Sequence, residues 1–223
     1  MPGVESYLPF WRQLTAQQQR RLKEAAVLRE APAGTVLQGG ASDCAGLFVV
    51  VHGQLRAFLL SEEGREITLY RLLERDICLL SASCMLHSIE FPVTVSAELL
   101  TTFYQIPTPV YAALMAESAA VANYTNELMA MRFSDVMWLL DQVLYKRLDS
   151  RLAAFLLEES SLCGSLTLHL THEDIARHLG SAREVITRLL KYLQSEGLVT
   201  GSRGGVTIRD PEGLSALASA SLR

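Results

Sequence analysis

The middle of the chain alternates between short apolar runs and turn residues. In GLFVVVHGQLRAFLL two apolar runs are separated by His52 and Gly53, and another break follows at Glu63 and Gly64. FPVTVSAELLTTFYQIP adds two further runs that are rich in β-branched and aromatic residues. Short strands separated by frequent turns are typical of a small antiparallel barrel or jelly roll. The pattern predicts such a β-roll over residues 34–107, with RDICLLSASCMLHSIEF as an irregular insertion because it lacks a period of two.

Helical patterns flank these strands. Residues 1–30 are predicted to be helical up to the break at Pro32 and Gly34. A longer pattern starts at residue 108 and has no proline or glycine after Pro109, which suits a first helical turn. Its apolar positions at roughly heptad spacing are Leu114, Val121 and Leu128 and, less regularly, Met131, Val136 and Met137. They predict the seam of a two-stranded coiled coil between two copies of the chain; the alternative is a helix that packs only on its own barrel.

Two short capped helices are predicted near the C-terminus. Thr171 and Asp174 have the spacing of a capping box at the start of the first helix, with aspartate in place of glutamate. Gly180 suits the left-handed residue that ends this helix. Ser181 and Glu184 then form a second capping box. Two helices joined by such a turn make a helix–turn–helix.

The second of these helices is predicted to present a charged face. In helix–turn–helix proteins the N-terminal part of this helix reads base edges in the major groove. Arginine can donate two hydrogen bonds to guanine and glutamate can accept one from cytosine, so base reading is assigned to Arg183, Glu184 and Arg188. Phosphate contacts are assigned to Thr171, Ser181, Thr187, Lys191 and Arg203. A charged helix face is commonly just solvated, but this one coincides with the caps, the turn and the wing described next.

Two short β segments, 198–200 and 206–208, flank the glycine-rich GSRGG and predict a wing after the second helix. The predicted fold class is therefore α+β. An effector-sensing β-roll with its N-terminal helix is expected over residues 1–107, a long dimerisation helix over 108–140, and a winged helix–turn–helix domain over 141–223.

Composition and charge restrict where a nucleic-acid surface can lie. The chain has 223 residues and a formal net charge of −4, and residues 171–223 carry seven Lys/Arg against six Asp/Glu. A basic surface must therefore be local. No apolar run is long enough to span a bilayer and no secretory signal is evident. A cytoplasmic protein without a membrane partner is expected.

The order of these parts resembles the Crp/Fnr family of bacterial transcription regulators. The resemblance covers nearly the whole chain, and LTHEDIARHLGSAREVITRLLKYLQSEGLV is its most specific piece. It implies a homodimer that binds a palindromic operator on double-stranded DNA, contacts RNA polymerase, and is controlled by a small molecule or a redox event in the β-roll. Arg183, Glu184 and Arg188 fall where the cyclic-AMP-responsive members read their half-site, which implies a TGTGA-like half-site.

Departures from the family pattern concern the signal. The segment from Asp76 through ICLLSASCMLHSIEFPVTV lacks the Gly-Glu and Arg-Ser pairs that hold ribose and phosphate in the cyclic-nucleotide-binding members, so cyclic AMP is not the expected effector. No cysteine precedes Cys44, so the N-terminal iron–sulfur centre of the oxygen-sensing members is not expected either.

The predicted effector pocket combines that segment with the long helix. Its lining residues are Ile77, Cys78, Leu79, Leu80, Ser81, Ser83, Cys84, Met85, Asn123 and Tyr124. An apolar lining with a few hydroxyls and thiols suits an uncharged or partly aromatic small molecule, whose identity the sequence leaves unknown. The signal is expected to reach the DNA-binding domain through a hinge at residues 136–146.

Other sources of the signal stay open. Cys78 and Cys84 are a possible redox pair, and haem is possible with Cys78, Met85, His87 or Pro2 as axial ligands. A cupin-like enzyme with an added DNA module is an alternative from another class, but the β-roll has only His52 and His87 and no His-x-His pair. No nucleophile–base set is present, so no enzymatic activity is predicted. A third alternative is an architectural DNA-binding protein with an empty β-roll.

Overall fold

The computed structural model describes residues 2–39, 45–85, 93–202 and 204–222, with the backbone alone for residues 83–85. The chain divides into two compact units. Unit 1 comprises Met1–Leu60 and Leu69–Val136, and unit 2 comprises Ser61–Thr68 and Met137–Arg223. The predicted α+β class is confirmed. None of the helices in the described ranges is long and apolar enough to cross a membrane.

The β-roll contains eight strands and two four-stranded sheets within the residues that the structure describes. The strands are β1 (Val27–Ala31), β2 (Val36–Gln38), β3 (Leu47–His52), β4 (Leu55–Leu60), β5 (Glu66–Leu72), β6 (Ile77–Cys78), β7 (Val93–Ala97) and β8 (Thr101–Ile106). Their orders in the two sheets are β1-β8-β3-β6 and β2-β7-β4-β5. The insertion after β6 continues as a short 3-10 helix, Leu80–Met85.

Strand β3 occupies an interior position of its sheet. It pairs antiparallel with β8 on one side and with β6 on the other, and its first five residues are buried. This burial explains the continuous apolar run LFVVV. The strand ends at the predicted break, where Gly53 has a φ of 93° and a Cβ would lie 2.5 Å from the Leu100 carbonyl oxygen. Only glycine fits this turn without displacing the backbone beside it.

Three helices accompany the β-roll along the chain: α1 (Ala16–Ala25), α2 (Thr108–Glu117) and α3 (Ala119–Tyr145). The helix predicted over residues 1–30 is shorter than expected, because Val27–Ala31 pair with β8 and form β1. The long helix predicted from residue 108 is interrupted at Ser118, whose backbone is extended with a φ of −131° and a ψ of 113°. Pro109 lies in the first turn of α2, as predicted.

The core of unit 1 joins the β-roll to these helices. Buried side chains of the two helices after the β-roll pack in one cluster with buried residues of α1, β3 and the chain after β6. The cluster includes Leu22, Leu47, Val49, Ile77, Leu79, Tyr111, Leu114, Val121 and Leu128. Helix α3 therefore contributes one apolar face to the core of its own chain.

Unit 2 contains the predicted winged helix–turn–helix. Its elements from residue 148 onward are α4 (Leu148–Cys163), β9 (Thr167–Leu168), α5 (His172–Leu179), α6 (Arg183–Ser195), β10 (Val199–Ser202), β11 (Gly205–Ile208) and α7 (Pro211–Ala218). Strand β11 lies between β10 and β9 in a small sheet. A second apolar cluster includes Leu156, Ile175, Ile186, Leu190 and Val206, and it packs α4, α5, α6 and the wing together.

Candidate nucleic-acid interface

Helix α5 begins with the predicted capping box. The Thr171 hydroxyl oxygen accepts from the Asp174 backbone N–H at 3.1 Å, and Asp174 accepts from the Thr171 backbone N–H at 2.9 Å. The Thr171 hydroxyl also donates to the Asp174 carboxylate at 2.6 Å. Burial opposes ionisation of Asp174, but hydrogen bonds from Thr171 and Arg177 outweigh it and lower the pKa of this carboxyl. The Thr171 hydroxyl hydrogen is thus used within the cap, so a phosphate contact here would have to use backbone N–H groups.

The turn between α5 and α6 is set by Gly180. Its φ of 67° and ψ of 35° are left-handed, as predicted. A Cβ at this position would lie 2.9 Å from Cδ1 of Ile67, which belongs to the same unit. Arg151 Nη2 donates to the carbonyl oxygen of Leu179 at 2.9 Å, which supplies a partner for a carbonyl at the end of α5. Glycine is therefore required both by the backbone conformation and by the contact with Ile67.

The start of α6 differs from the prediction. Its N-cap is Ala182, which makes no side-chain cap, so the capping box predicted for Ser181 and Glu184 is wrong. The Ser181 backbone N–H donates to the Ala176 carbonyl oxygen at 3.0 Å, which ties Ser181 to the end of α5 instead. The helix therefore begins one residue later than the sequence pattern indicated.

Helix α6 presents the predicted charged face. Three side chains, Ile186, Leu190 and Leu193, are buried against the unit core. The exposed side chains include those of Arg183, Glu184, Arg188 and Lys191. The first three of these are the predicted base-reading residues. They therefore share one accessible surface at the N-terminal half of α6.

A cleft of about 450 Å³ lies where the starts of α5 and α6 meet the wing. It is lined by Leu170, Thr171, His172, Glu173, Arg183, Ser202, Gly204 and Gly205. The structure thus brings the predicted phosphate residue Thr171 and the predicted base-reading residue Arg183 to one cleft. Arg203, the phosphate residue predicted on the wing, lies outside the described residues.

Sequence reasoning missed His172. Its Nδ1 lies 2.9 Å from the hydroxyl oxygen of Thr187, on α6. That hydroxyl also donates to the Arg183 carbonyl oxygen at 2.9 Å. Thr187 was predicted to contact phosphate, but its hydroxyl is bonded inside the unit and its side chain is half-buried. No local pattern signals this contact, because it joins residues 15 positions apart on two helices.

Comparison with known proteins decides the family. Residues 150–217 match the Crp-like helix-turn-helix domain. A crystal structure of a Crp/Fnr family protein from Eubacterium rectale ATCC 33656 is 53% identical, covers 96% of this chain and 99% of that chain, and superposes with a TM-score of 0.94. The chain belongs to the Crp/Fnr family. Its helices α5 and α6 are accordingly the DNA-binding helix–turn–helix of a transcription regulator.

Two further relatives of this Crp/Fnr protein are transcription regulators by name. The transcriptional regulator SdrP of Thermus thermophilus is 34% identical over 35% of this chain and 42% of SdrP. The global nitrogen regulator of Synechococcus elongatus is 25% identical over 76% of this chain and 79% of that protein. The first match thus covers less than half of its relative, and the second covers most of both chains.

The residues predicted to line the effector pocket of this Crp/Fnr protein lie mostly in the core of unit 1. Ile77, Cys78, Leu79, Leu80 and Ser81 are at most 6% exposed. The Ser81 hydroxyl donates to the Cys78 carbonyl oxygen at 2.7 Å. Burial raises the pKa of the Cys78 thiol, and a protonated thiol is a poor nucleophile and a poor metal ligand.

The other pocket residues are placed less uniformly. Asn123 is exposed on α3 in the single chain, and its role as a pocket residue stays a prediction. Tyr124 is half-buried, and its ring centre lies 5.4 Å from that of Phe10. The side chains of Ser83, Cys84 and Met85, together with the whole of His87, lie outside the described residues, so their predicted roles stay predictions. The core carries no group of three His, Cys, Asp or Glu residues suited to a metal ion in the part of the chain that is described.

A half-buried positive charge in unit 1 was also missed. The Arg132 guanidinium lies 4.4 Å from the centre of the Tyr70 ring and forms an ion pair with Asp135 at 3.0 Å. Burial raises the pKa of Tyr70 well above its ordinary value. Within the described ranges, the Tyr70 hydroxyl and the Arg132 Nε have no hydrogen-bond partner. Arg132 follows the buried Leu128 by one helical turn, but a search for apolar positions does not score an arginine.

The first three residues of the predicted dimer seam face the core of their own chain. Leu114, Val121 and Leu128 are 0%, 0% and 2% exposed, because they pack in the core of unit 1, and Leu114 belongs to α2. Of the other predicted seam residues, Met131 and Met137 are 53% and 45% exposed and Val136 is half-buried. A different set of exposed residues recurs along α3 in alternating steps of four and three. This outer stripe consists of Ala119, Asn123, Asn126, Ala130, Phe133, Met137, Leu140 and Leu144.

Proposed function

We propose that this protein is a homodimeric, sequence-specific regulator of transcription whose affinity for its operator is set by a signal received in unit 1. The observation that carries the proposal is the exposed N-terminal half of α6. Arg183, Glu184 and Arg188 are all exposed there, beside a cleft shared with α5 and the wing. Side chains of this kind, presented at the start of a recognition helix, are suited to base edges in the major groove.

The outer stripe of α3 supports the homodimer. Its steps of four and three residues are those of a two-stranded coiled coil. Its C-terminal half is strongly apolar, and Phe133 and Leu144 are 68% and 60% exposed in the single chain. Large apolar side chains in such a row are normally covered by a partner. A second copy of the chain fits, because the same stripe on both helices is self-complementary about a two-fold axis.

The operator follows from the dimer and from α6. A two-fold dimer of recognition helices predicts a palindrome with half-sites about one helical turn of DNA apart. By their place in the motif, Arg183, Glu184 and Arg188 favour a TGTGA-like half-site. RNA polymerase is the expected protein partner of the complex on DNA.

The signal is proposed to be a small molecule. The buried, protonated Cys78 disfavours redox sensing at that thiol. Tyr70 and Arg132 provide a buried hydroxyl and guanidinium with unused hydrogen-bonding atoms, so an effector with an acceptor group is favoured over a purely apolar one. Native mass spectrometry of protein purified from its own host would weigh a retained effector.

Selection from a pool of random DNA duplexes tests the proposed function. The protein is expected to enrich a palindrome whose half-sites contain G·C pairs opposite Arg183 and Arg188. Enrichment of no motif, or of a motif without those pairs, would contradict it.

A further inference from the structure

The outer stripe of α3 differs in character between its two halves. Its C-terminal half consists of large apolar side chains, Phe133, Met137, Leu140 and Leu144. Its N-terminal half consists of two alanines and of Asn123 and Asn126. These are the only two asparagines among the 223 residues of the chain. Both asparagines of the protein therefore lie in the polar half of one helix face.

Neither helix propensity nor capping explains these two asparagines. Asparagine is a weaker helix former than alanine, because its side chain competes for backbone hydrogen bonds. Asn123 is the fifth residue of the helix Ala119–Tyr145, so both lie beyond the position where asparagine caps a helix. Both side chains are exposed in the single chain, and within the described ranges neither amide forms a hydrogen bond. The two amides are therefore available to a partner.

The spacing of the outer stripe assigns the asparagines to coiled-coil positions. In a heptad, three residues lead from position a to position d, and four lead from d to the next a. Three residues lead from Asn123 to Asn126 and four from Asn126 to Ala130, so Asn123 occupies an a position and Asn126 a d position. In a parallel dimer in register, each asparagine would face its own counterpart. An asparagine amide both donates and accepts, so two of them can satisfy each other.

Other alignments of the same stripe would leave the amides without partners. An antiparallel pairing over the full length of the stripe places Asn123 opposite Leu140. The same pairing places Asn126 opposite Met137. A parallel pairing shifted by one heptad places Asn123 opposite Ala130. In each case an amide is buried against a side chain that offers no hydrogen bond, which costs the desolvation of the amide.

We propose that Asn123 and Asn126 determine how two copies of the chain align, by pairing with their counterparts across the two-fold axis of the homodimer. The inference depends on the homodimer of the proposed function and names the residues that specify its orientation and register. A polar residue at an a position specifies register at a cost in stability. The selectivity of pairing and the strength of the dimer are therefore expected to change in opposite directions when the amide is removed.

Subunit exchange tests whether each Asn123 faces its counterpart. Isotopically labelled wild type is mixed with unlabelled Asn123→Val, and the dimers are counted by native mass spectrometry. A mixed dimer would place an amide opposite a valine, so its population is expected to be about tenfold below the statistical share. Asn126→Val is expected to behave in the same way. Met131→Leu is the matched control, because Met131 lies off the stripe, and it is expected to mix statistically with wild type.

Sedimentation equilibrium measures the strength of the same dimers. The Asn123→Val homodimer is expected to dissociate about tenfold less than wild type, because a β-branched residue at an a position favours two strands. A dimer that is at least as strong as wild type also shows that the variant is folded.

The outcomes separate this inference from the proposed function. Statistical mixing of wild type with Asn123→Val would overturn it, because Asn123 would then face some other group, such as a side chain of an antiparallel dimer or an effector. A weaker Asn123→Val homodimer would also overturn it. A wild-type protein that remains monomeric would instead refute the homodimer of the proposed function.

Discussion

Helices α3 and α6 differ in the number of apolar faces they carry. On α6 the apolar residues Ile186, Leu190 and Leu193 are buried together and the opposite face is charged. On α3 one apolar face, with Val121 and Leu128, is buried in unit 1, and a second apolar face is exposed. A helix with one apolar face has its orientation fixed by that face. A helix with two such faces needs two partners, and the structure of one chain shows only the first.

The largest expected effect comes from a charge on the outer stripe. Leu140→Lys would place one lysine from each protomer at the seam, and buried unpaired charges cost several kcal/mol. Dimer dissociation is expected to increase by about 1,000-fold, or about 4 kcal/mol. Sedimentation equilibrium measures it. Met131→Lys is the matched control, because Met131 is exposed but lies off the stripe. If Met131→Lys dissociated the dimer and Leu140→Lys did not, the dimer seam would run through Met131, as the sequence pattern predicted.

Substitutions on the buried face of α3 are expected to lower the free energy of unfolding instead of the affinity of the dimer. Leu128→Ala removes a buried side chain from the core of unit 1, which costs about 3 kcal/mol in the free energy of unfolding. Urea unfolding in the monomeric Leu140→Lys background measures this without a contribution from dimerisation. Phe133→Ala in the same background is expected to cost less than about 0.5 kcal/mol, because an exposed side chain makes few contacts. Equal costs for the two changes would mean that α3 does not have two distinct faces.

On α6 the expected effect is on specificity. Arg183→Ala should cost about 1–3 kcal/mol of operator binding and relax the preference at one G·C pair. Lys191→Ala should weaken binding to all duplexes alike and reduce the salt dependence by about one counterion. Titration of the operator and of its single-base variants at two salt concentrations distinguishes them. A uniform loss for Arg183→Ala would assign it to the backbone instead of a base.

The smallest expected effect is on the free energy of unfolding, when each of the two predicted N-caps is removed in turn. Thr171→Ala should lower the free energy of unfolding by about 1 kcal/mol, because it removes an observed N-cap. Ser181→Ala should change it little, because the Ser181 side chain forms no cap at α6. Urea unfolding of both variants provides the comparison. A similar loss for Ser181→Ala would show that α6 is capped as its sequence pattern predicted.

Short-range sequence patterns were sufficient to predict much of the helix–turn–helix in unit 2. The capping box of Thr171 and Asp174 and the left-handed Gly180 depend on residues within one turn of each other, and both are confirmed. The start of α6 was misplaced because it depends on how Ser181 leaves α5. The bond between His172 and Thr187 joins two helices, and only the folded turn brings those residues together.

In unit 1 the spacing of apolar residues was not sufficient to predict which side chains of α3 pack against the rest of the chain. A search for apolar heptads selects Val121 and Leu128, which pack inward, over Asn123 and Asn126, which belong to the outer stripe. The same search overlooks Arg132, because it scores only apolar residues. Local pattern therefore located α3 without determining which of its faces meets the rest of the chain.

Cross-linking at the outer stripe tests the central claim most directly. With Cys44, Cys84 and the exposed Cys163 changed to serine, which leaves the buried Cys78 as the remaining native thiol, Leu140→Cys should oxidise to a covalent dimer, because seam residues of a parallel coiled coil face their counterparts. That dimer is predicted to bind the duplex with inverted TGTGA half-sites, while Met131→Cys stays largely uncross-linked. Cross-linking through position 131 and not 140, or a covalent dimer of Leu140→Cys that does not bind a palindrome, would contradict the account.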